Sequence, residues 1–366
     1  MGSLTRPISP FDENTRQNLR DIPSINITGS RGQAILPKTG FLARIHCHVN
    51  GTLTVVLGGG TAALDVLGPW NIFNRVRTAI NGGKEVYSVS GPGAHWVHLL
   101  QNYKYVPEDS GLSVIPAHSA AVYSVPTAAG ANVWDFGFTI PIAPNDDEML
   151  GGFIVQTEAA QSVLGFDFNI ANGSVASLLP SVAPVLVTGA ATATFTGAIT
   201  PLVETFDIPP DRTLWPPVQA LHIITENVQA IAQTGDQFVD LLKDNIYLQI
   251  YHHLVANAAP SSLIFDRAKV AVQRSVFPYD IPARSLLQLQ RYRYGRDLPA
   301  GLLVHDFFDQ GAPNYGSFRD VIAAMDLTEF QSIVSISAGT PLGSVARVTT
   351  ISRMLEPLKE SQVRVG

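Results

Sequence analysis

The stretch Phe41–Val49, with the sequence FLARIHCHV, decides the fold class, because apolar residues occur along it at every second position. Every odd-numbered residue is apolar, and three of the four residues between them are polar. Period two over such a run predicts a β-strand with one buried face. Asn50-Gly51 follows, which is typical of a two-residue hairpin turn, and Thr52–Leu57 is again strand-like. We therefore expect two strands joined by a tight turn.

Short runs of this kind recur along the chain, and Gly, Pro or Asn separates most of them. Further strands are expected at Val86–Val89, Leu112–Ile115, Ala121–Val125, Val133–Ile140, Gly152–Thr157, Leu164–Ile170, Pro184–Val187 and Ala190–Ile199. Many short strands with such punctuation are typical of a β-sandwich or barrel. Three helices are expected, the last two from the helical spacing of their apolar residues: Glu13–Arg20, Gln237–Val255 and Ser317–Met325.

The chain is poor in charge. Asp, Glu, Lys and Arg make up 15% of its 366 residues, against about 25% in an average soluble domain. The deficit is concentrated, since no charged residue occurs between Asp167 and Glu204. The buried centres of protein interfaces are depleted in charge. We therefore expect an oligomer, and Phe168–Val203 is the candidate for a surface buried between domains or subunits.

Composition also argues against several classes of protein. The net charge of −6 gives no basic surplus for nucleic-acid binding. The single cysteine, Cys47, cannot form an internal disulfide. The N-terminal sequence has no apolar core of a secretory signal, and no apolar run is long enough for a transmembrane helix, so we expect neither.

None of the motifs is complete enough to predict chemistry. Gly58–Ala63 reads G-x-G-x-x-A, but Gly68-Pro69 would break the helix that a dinucleotide site needs. His46 and His48 share one face of the predicted strand, as metal ligands can, yet the Glu of a cupin-type site does not follow closely. We expect both histidines on an outward face, with metal binding left open. The prediction is therefore no catalytic, cofactor-binding or metal-ligating residue and no cofactor.

The only basic and aromatic cluster is Arg291-Tyr292-Arg293-Tyr294-Gly295-Arg296. Interleaved Arg and Tyr side chains can clamp phosphates and stack on bases. On a strand, the same alternation gives an Arg face and a Tyr face, which suits a contact with another protein. Because the chain is acidic, the protein contact is favoured.

Two pairs of segments echo each other in the same order along the chain. Thr157–Ile170 is similar to Thr328–Ser337, and Leu67–Ile80 is similar to Leu214–Ile231. Two interpretations stay open: coincidence in a compositionally biased chain, or two β domains of the same type.

The segment Leu67–Gly82, LGPWNIFNRVRTAING, resembles a strand region near the start of major capsid proteins from tailless icosahedral phages. These form the double jelly-roll family typified by the PRD1-like tectiviruses. There, a Gly-Pro-Trp-like turn leads into a strand that ends at Asn-Gly, and a second strand ends in a Ser-Gly stretch, here Ser88–Gly91. The resemblance is specific over Leu67–Gly91 only.

The resemblance implies an all-β chain of two tandem eight-stranded jelly rolls, a double jelly roll, with a few short helices in loops. The expected division is an N-terminal arm at 1–39, a first jelly roll at 40–175, a second at 176–352 and a C-terminal tail at 353–366. Three subunits would form a pseudo-hexagonal homotrimer, and such capsomers would tile the icosahedral shell of a bacteriophage virion after synthesis in the host cytoplasm.

The resemblance also implies partners. These are neighbouring capsomers, a vertex (penton) protein and minor capsid proteins, and no specific nucleic acid. In this family both termini lie near the inner face of the shell. Met1–Lys38 and Leu355–Gly366 could therefore touch a neighbouring capsomer or an internal membrane, with Arg6, Arg16 and Arg20 near lipid headgroups.

Two other functions stay open on the sequence. A carbohydrate-binding β-sandwich module would need exposed aromatic platforms, and the chain offers Trp70, Trp96, Trp134 and Trp215. A jelly-roll enzyme of the cupin-like kind would use His46 and His48 with a bound metal.

Overall fold

The structure, a computed structural model, is an all-β protein with short helices, as predicted. It describes residues 15–357 except 59–61, 65–66, 68, 81–82, 102–121, 124–128, 145–150, 155–160, 171–185, 189, 216–219, 258, 274–275, 296, 309–319, 326 and 344. The helices of this part are α1 (Gly91–Gln101), α2 (Ala283–Tyr294) and two 3-10 turns, Trp70–Ile72 and Arg212–Leu214.

Strands β1 to β13 precede Asp207. They are β1 (Gln17–Asp21), β2 (Ile25–Ile27), β3 (Arg31–Ile35), β4 (Phe41–Leu57), β5 (Ala63–Leu64), β6 (Phe73–Ile80), β7 (Lys84–Val89), β8 (Val122–Tyr123), β9 (Gly130–Pro141), β10 (Phe153–Ile154), β11 (Val163–Phe168), β12 (Val187–Thr188) and β13 (Ala190–Phe206).

Strands β14 to β23 form the remainder. They are β14 (Ala220–Ala230), β15 (Gly235–Asp240), β16 (Ile246–Ala256), β17 (Ala259–Pro260), β18 (Phe265–Val272), β19 (Val276–Pro282), β20 (Leu302–Asp306), β21 (Ile322–Ala323), β22 (Phe330–Ile336) and β23 (Arg347–Pro357).

Four sheets of four principal strands each build two sandwiches. Sheet I has the order β1-β13-β4-β9 and sheet II the order β3-β11-β6-β7; together they form the first sandwich. Sheet III has the order β14-β23-β16-β20 and sheet IV the order β15-β22-β18-β19; together they form the second sandwich. The remaining short strands, β2, β5, β8, β10, β12, β17 and β21, pair at the margins.

The two sandwiches have the same topology. Counting eight principal strands in chain order, sheets I and III both run first-eighth-third-sixth, and sheets II and IV both run second-seventh-fourth-fifth. Two antiparallel four-stranded sheets connected in this way are a jelly roll. The predicted double jelly roll is therefore confirmed.

Alternating side chains supply the core of each sandwich. In β4, Ile45, Cys47, Val49, Leu53 and Val55 point inward and are buried, as the alternation in the sequence predicts. One cluster of buried apolar side chains runs through both sandwiches. Burial raises the pKa of the Cys47 thiol, which keeps it in the neutral, apolar form.

Strand pairing departs from the predicted division of the chain. Residues 17–35, expected in an arm, supply the first two principal strands, since β1 pairs with β13 and β3 pairs with β11. Residues 187–206, expected in the second jelly roll, complete the first, because β13 pairs with β4 along almost its whole length.

The predicted turn at Asn50-Gly51 is wrong, since β4 runs through it without a break. Pairing with the strands on both sides keeps β4 extended at this point, since Asn50 lies opposite Ala198 of β13 on one side and Asp135 of β9 on the other. The glycine serves a close approach instead, because Gly51 lies opposite Gly197.

None of the described parts of the three predicted helices is helical, and each contains strand residues. Residues 17–20 belong to β1, whose pairing with β13 overrides local preference. Gln237–Val255 is β15 and β16, joined by a turn at which Asp244 has φ +63°. In β15 the buried residues alternate, Gln237 and Val239 inside and their neighbours outside. In the third segment, Ile322–Ala323 is β21, and 317–319 lie outside the described residues.

Most predicted strands are present, and one echo reflects real equivalence. Leu112–Ile115 lies outside the described residues, and of Ala121–Val125 only β8 lies within them. The echo of Thr157–Ile170 with Thr328–Ser337 covers β11 and β22, which are the seventh principal strands of their sandwiches. The other echo is wrong, because Leu67–Ile80 leads into a fourth strand, β6, and Leu214–Ile231 into a first strand, β14.

Replacing Gly51 by alanine should destabilise the first sandwich. An alanine Cβ there would lie 2.5 Å from the Phe195 ring and 2.5 Å from the Thr196 carbonyl oxygen. Overpacking of this kind costs about 1–3 kcal/mol. Urea unfolding of Gly51→Ala measures the loss, with Gly29→Ala as control, because a Cβ at Gly29 meets nothing within 4 Å. Equal stability of the two variants would contradict the close packing of β4 on β13.

Candidate assembly site: a buried joint and an open sheet face

The two sandwiches meet along one short stretch of backbone. Strand β7 of sheet II pairs in parallel with β14 of sheet III, through Tyr87 with Ile224 and Ser88 with Thr225. This pairing merges sheets II and III into one ten-stranded sheet. Since only these two residue pairs form it, the relative position of the sandwiches depends on side chains around it.

Helix α1 is held at its N-terminus by the second sandwich. The Glu226 carboxylate of β14 accepts hydrogen bonds from the Ser90 N–H at 2.7 Å and from the Ser90 hydroxyl at 2.8 Å. Ser90 also caps the helix, because its hydroxyl oxygen accepts the Gly93 N–H at 3.1 Å. Burial raises the pKa of Glu226, while the two bonds from Ser90 oppose that shift. A carboxylate at a helix N-terminus is favoured by the helix dipole.

The middle of α1 packs on the outer face of sheet III. The indole of Trp96 lies against the imidazole of His253 on β16, with ring centroids 4.1 Å apart. Both side chains are buried. Helix α1 therefore covers part of the face that sheet III turns away from its own core.

A buried arginine completes the joint. Arg353 of β23 is 1% exposed and uses three nitrogens. Nε donates to His222 Nε2 at 3.0 Å, one terminal nitrogen donates to Gln249 Oε1 at 2.9 Å, and the other donates to the Pro144 carbonyl at 3.1 Å. His222 and Gln249 belong to the second sandwich, whereas Pro144 follows β9 of the first. The guanidinium therefore ties the two together.

The protonation state of His222 follows from these contacts. Its Nε2 accepts the Arg353 proton, so the ring hydrogen is on Nδ1 and is donated to the Ile142 carbonyl at 3.1 Å. Burial, and then the Arg353 charge, hold the pKa of His222 well below its ordinary value. The neutral ring thus bridges the cation to a second carbonyl of the first sandwich.

The network continues from the joint to helix α2. Gln249 donates to Asp306 Oδ1 at 3.0 Å, and the Tyr294 hydroxyl at the end of α2 donates to Asp306 Oδ2 at 2.9 Å. Arg293 donates to the Asp306 carbonyl at 3.2 Å. The buried cation and the buried carboxylate are therefore linked through the Gln249 amide.

One half of the outer face of sheet I, from His48 to Val56 along β4, is unlike this joint, because it is open and almost uncharged. The other half carries Arg44 and Glu204, which are paired at 3.4 Å. The outward residues of the uncharged half on β13, β4 and β9, which we call the open face, are Thr192, Thr194, Thr196, Ala198, Thr200, His48, Asn50, Thr52, Thr54, Val56, Ala131, Val133 and Asp135. Threonines pair across the strands, Thr194 with Thr54 and Thr196 with Thr52. His48 and Asp135 are bonded to each other at 2.5 Å.

The outer faces of sheets II and IV carry ion pairs instead. Sheet II pairs Arg75 with Glu85 at 2.7 Å and Arg31 with Asp167 at 3.1 Å. On sheet IV, Arg267 pairs with Asp280 at 2.8 Å. Such pairs are typical of surfaces that stay in water. The open face therefore differs chemically from both of these charged faces.

The span predicted as a buried surface lies partly in the open face. Of Phe168–Val203, residues 171–185 and 189 lie outside the described residues. In the described part of the span, the side chains of β13 point alternately to the two faces of sheet I. Ala193, Phe195 and Ile199 are in the core, whereas Thr192, Thr194 and Thr196 are exposed. Burial of that exposed half against another subunit stays a prediction.

His46 and His48 face outward, as expected, and each has an acidic partner. His46 bonds Thr139 Oγ1 and Glu204 Oε2, both at 3.0 Å. The Gln17 amide also donates to Glu204, at 2.6 Å, so this carboxylate attaches β1 to the sheet. Its pKa is lowered, because the bonds from His46 and Gln17 and the Arg44 charge outweigh burial. Among the described residues, no group of three or more His, Cys, Asp or Glu is placed to hold a metal.

The tryptophans are placed for packing. Trp70, Trp96 and Trp134 are buried, and Trp70 stacks on His95 at 4.4 Å between ring centroids. Trp215 packs edge-on against Phe41. These side chains therefore offer no exposed platform to a sugar.

The Arg and Tyr cluster lies on a helix, so the expected strand alternation is wrong there. Leu286, Gln290 and Tyr294 recur at every fourth residue and form the buried side of α2. Arg291 forms a two-pronged ion pair with Asp297, both bonds 2.6 Å long. Tyr292 is 87% exposed. Arg296 lies outside the described residues. Contact with another protein stays a prediction for this cluster.

The joint itself was missed by sequence reasoning. Glu226, His222, Gln249 and Arg353 come from three strands, and no motif or spacing connects them. Helix α1 did have a signal, because Ser90 followed by Gly91-Pro92 is an N-cap followed by a proline in the first turn.

Comparison with known proteins identifies the fold. The STIV major capsid protein (Sulfolobus turreted icosahedral virus) matches with a TM-score of 0.69 and 12% identity over 95% of this chain and 99% of its own. The PBCV-1 virus capsid protein matches with a TM-score of 0.60 and 11% identity over 97% and 95%. Protein P2, the major capsid protein of bacteriophage PM2, matches with 0.52 and 8% over 95% and 100%.

These likenesses confirm that the chain has the double jelly-roll fold of viral capsid proteins. No family model matches the sequence, and no curated protein matches it in sequence. In the described part of the chain, none of the helices combines the length and apolarity needed to cross a membrane.

Removing the buried cation should destabilise the whole chain. Arg353→Met leaves His222, Gln249 and Pro144 without their donors and the Asp306 carboxylate without its linked cation. Breaking a buried charge network costs about 3–5 kcal/mol. Urea unfolding measures the loss, with Arg267→Met as control, because Arg267 forms its ion pair with Asp280 on the surface. A loss no larger than in the control would show that Arg353 does not hold the joint.

Stability should fall as the pH drops from about 6.5 to 5. Burial lowers the pKa of His98 and His305 to about 4 and of His252 and His253 to about 3. Unfolded histidines titrate near pH 6.5, so acid protonates the unfolded chain first and favours it. Each such histidine contributes about 1.4 kcal/mol per pH unit in this window.

Urea unfolding at pH 7, 6 and 5 measures this slope. In His252→Gln the slope should fall by about one proton, because glutamine can keep bonds to Thr350 and Ser332 without titrating. A stability that does not change between pH 7 and pH 5 would mean that these histidines are not buried in the neutral form.

Proposed function

We propose that the chain is a major capsid protein, and that three copies form a pseudo-hexagonal capsomer that tiles an icosahedral shell in the virion. One observation carries the proposal. The chain holds two sandwiches of the same strand order side by side, so three chains bring six equivalent units into one ring. Likeness of fold to the capsid proteins of STIV, PBCV-1 and PM2 supports it.

The outer faces of the sheets support assembly through the first sandwich. Sheet III is covered within the chain by α1 and by the segment around Pro144. Sheet I has the same strand order, and the half of its outer face that forms the open face is exposed and almost free of charge. Uncharged residues are removed from water at low cost, whereas an unpaired charge is not. The open face is therefore our candidate for the contact between subunits, as the charge-free span predicted.

Strand pairing also supports a revised division of the chain. We propose a first jelly roll from Gln17 to Phe206 and a second from Ala220 to Pro357, joined by a linker that contains Trp215. The arm then shrinks to residues 1–14 and the tail to 358–366, both outside the described residues. These ends remain our candidates for contact with neighbouring capsomers, with vertex and minor capsid proteins, or with an internal membrane.

The role is structural in this proposal, and the two alternative functions lose their support. A sugar-binding module needs aromatic platforms, and three of the four tryptophans are core residues. A cupin-like enzyme needs several metal ligands around one point, whereas His46 and His48 are each bonded to a different carboxylate.

A lysine on the open face should weaken the trimer and leave the chain folded. Thr194 and Thr196 are exposed on β13, so Thr194→Lys or Thr196→Lys fits the free chain but would bury an unpaired charge in the ring. We expect association at least about tenfold weaker. The control is Gln331→Lys, which places the same charge on sheet IV beside Asp240, at present the partner of Gln331 at 2.7 Å.

Light scattering after size-exclusion chromatography measures the trimer fraction, and negative-stain electron microscopy shows its outline. Circular dichroism checks that each variant is folded. A monomeric native chain at every concentration would refute the capsomer. A native trimer that Thr194→Lys leaves intact would refute the open face as its contact.

A further inference from the structure

We propose that helix α2 of one copy packs on the open face of the next copy, in the position that α1 occupies on sheet III within the chain. This inference rests on the proposed capsomer, and it names the two surfaces that meet. It follows from the internal symmetry of the chain.

The two helices are equivalent elements of the two sandwiches. Each lies between the fifth and the sixth principal strand: α1 follows β7 and precedes β9, and α2 follows β19 and precedes β20. Each contacts the fourth, fifth and sixth strands of its own sandwich: β6, β7 and β9 for α1, and β18, β19 and β20 for α2. The two helices therefore occupy the same position in their two sandwiches.

The surroundings of the two helices differ on their outer side. Helix α1 is almost wholly buried, because the second sandwich covers it through Trp96 with His253 and Ser90 with Glu226. Helix α2 buries only the side that carries Leu286, and its outer side, Arg284, Ser285, Gln288, Arg291 and Tyr292, is exposed. Trp96 and Gln288 are each the sixth residue of their helix, so the outer stripe of α2 contains the position that makes the contact in α1.

The internal symmetry of the chain also identifies the face on which α2 would pack. Within the chain, α1 of the first sandwich lies on sheet III of the second. In a ring, α2 of the second sandwich faces the first sandwich of the next copy, where the equivalent sheet is sheet I. That sheet has the strand order of sheet III, and the open face is part of its outer face.

The register of the strands locates the contact on that face. His253, which contacts α1, lies opposite Leu302, the first residue of β20. Its equivalent in sheet I is Val55, because Val55 lies opposite Gly130, the first residue of β9. The outward residues next to Val55 are Thr54 and Val56. Val56 is 52% exposed and Val133 on the neighbouring strand is 55% exposed. The open face therefore has its exposed apolar side chains at the end where equivalence places the helix.

The chemistry of the two surfaces is complementary. The helix offers an exposed tyrosine between arginines, and Tyr and Arg are the residues enriched at the centres of interfaces. The open face offers threonine and valine, with Asp135 as its acidic residue at 39% side-chain exposure. Each copy presents one such helix and one such face, so contacts run head to tail and three copies close a ring of six sandwiches.

Cross-linking between two different single-cysteine proteins tests the contact. Gln288→Cys and Thr54→Cys are prepared separately, mixed, and treated with a short bismaleimide. Native Cys47 is buried and should not react. Helix docking predicts covalent dimers in this mixture. The control mixture is Gln288→Cys with Phe238→Cys, since Phe238 is 52% exposed on the outer face of sheet IV, and it should give none.

A second variant tests the same contact without a reagent. Tyr292→Ala removes the most exposed aromatic side chain of α2 and should weaken association at least about tenfold. Leu263→Ala should not, since Leu263 is equally exposed, at 88%, but lies outside α2. Both side chains are on the surface, so both variants should fold.

The outcomes separate this inference from the capsomer. Trimers by light scattering, with dimers only in the Gln288 and Thr54 mixture and weaker association of Tyr292→Ala, support both. Trimers without that cross-link, or with association unchanged in Tyr292→Ala, overturn the docking of α2 and leave the capsomer standing. A native chain that stays monomeric overturns the capsomer itself.

Discussion

The arrangement of the two sandwiches depends on one buried cation. A guanidinium that is 1% exposed is tolerable only when fixed partners replace the water it has lost. Arg353 finds these partners on both sides of the joint, His222 and Gln249 in the second sandwich and the Pro144 carbonyl in the first. Backbone pairing between β7 and β14 is too short to fix an angle. Because hydrogen bonds to a charge are directional and strong, the guanidinium fixes how the first sandwich lies on sheet III.

The four outer faces show how one topology is used for different purposes. Sheets II and IV share a strand order and both carry ion pairs, as surfaces in water do. Sheets I and III share the other order: the outer face of sheet III is covered by α1 and by the Arg353 network, and the outer face of sheet I carries the Arg44–Glu204 pair at one end and threonines toward the other. Since the strand orders are the same, the difference comes from side chains alone. Of these two sheets, sheet III is covered within the chain, and sheet I is open in the single chain.

Alternation predicted the class of the fold and most of its strands, because a sandwich buries every second residue and FLARIHCHV shows this directly. The hairpin at Asn50-Gly51 was wrong because its local preference is weaker than pairing with β13 and β9. The helix at Gln237–Val255 was wrong because β16 is buried on both faces, one in the core and one against α1 and the Arg353 network, so the alternation typical of a strand is lost. Glu226 and Arg353 could not be predicted, since their roles arise only when distant strands pair. The outward face of His46 and His48 could be, because one alternating strand contains both.

In the proposed capsomer, equivalent positions in the two sandwiches would be covered at different stages, and this accounts for their different chemistry. Sheet III meets α1 as the chain folds, so its outer face can hold groups that would be costly alone in water, such as Ile224 and Leu355 beside the charge of Arg353. In that capsomer, sheet I would first be exposed on a free chain, in which a broad apolar face would promote aggregation. Threonine meets both needs: it favours the strand, it is soluble, and it loses little on burial compared with a charge. The same order of events would explain why α1 carries Trp96, which packs on sheet III, and α2 carries the exposed Gln288 at the corresponding position.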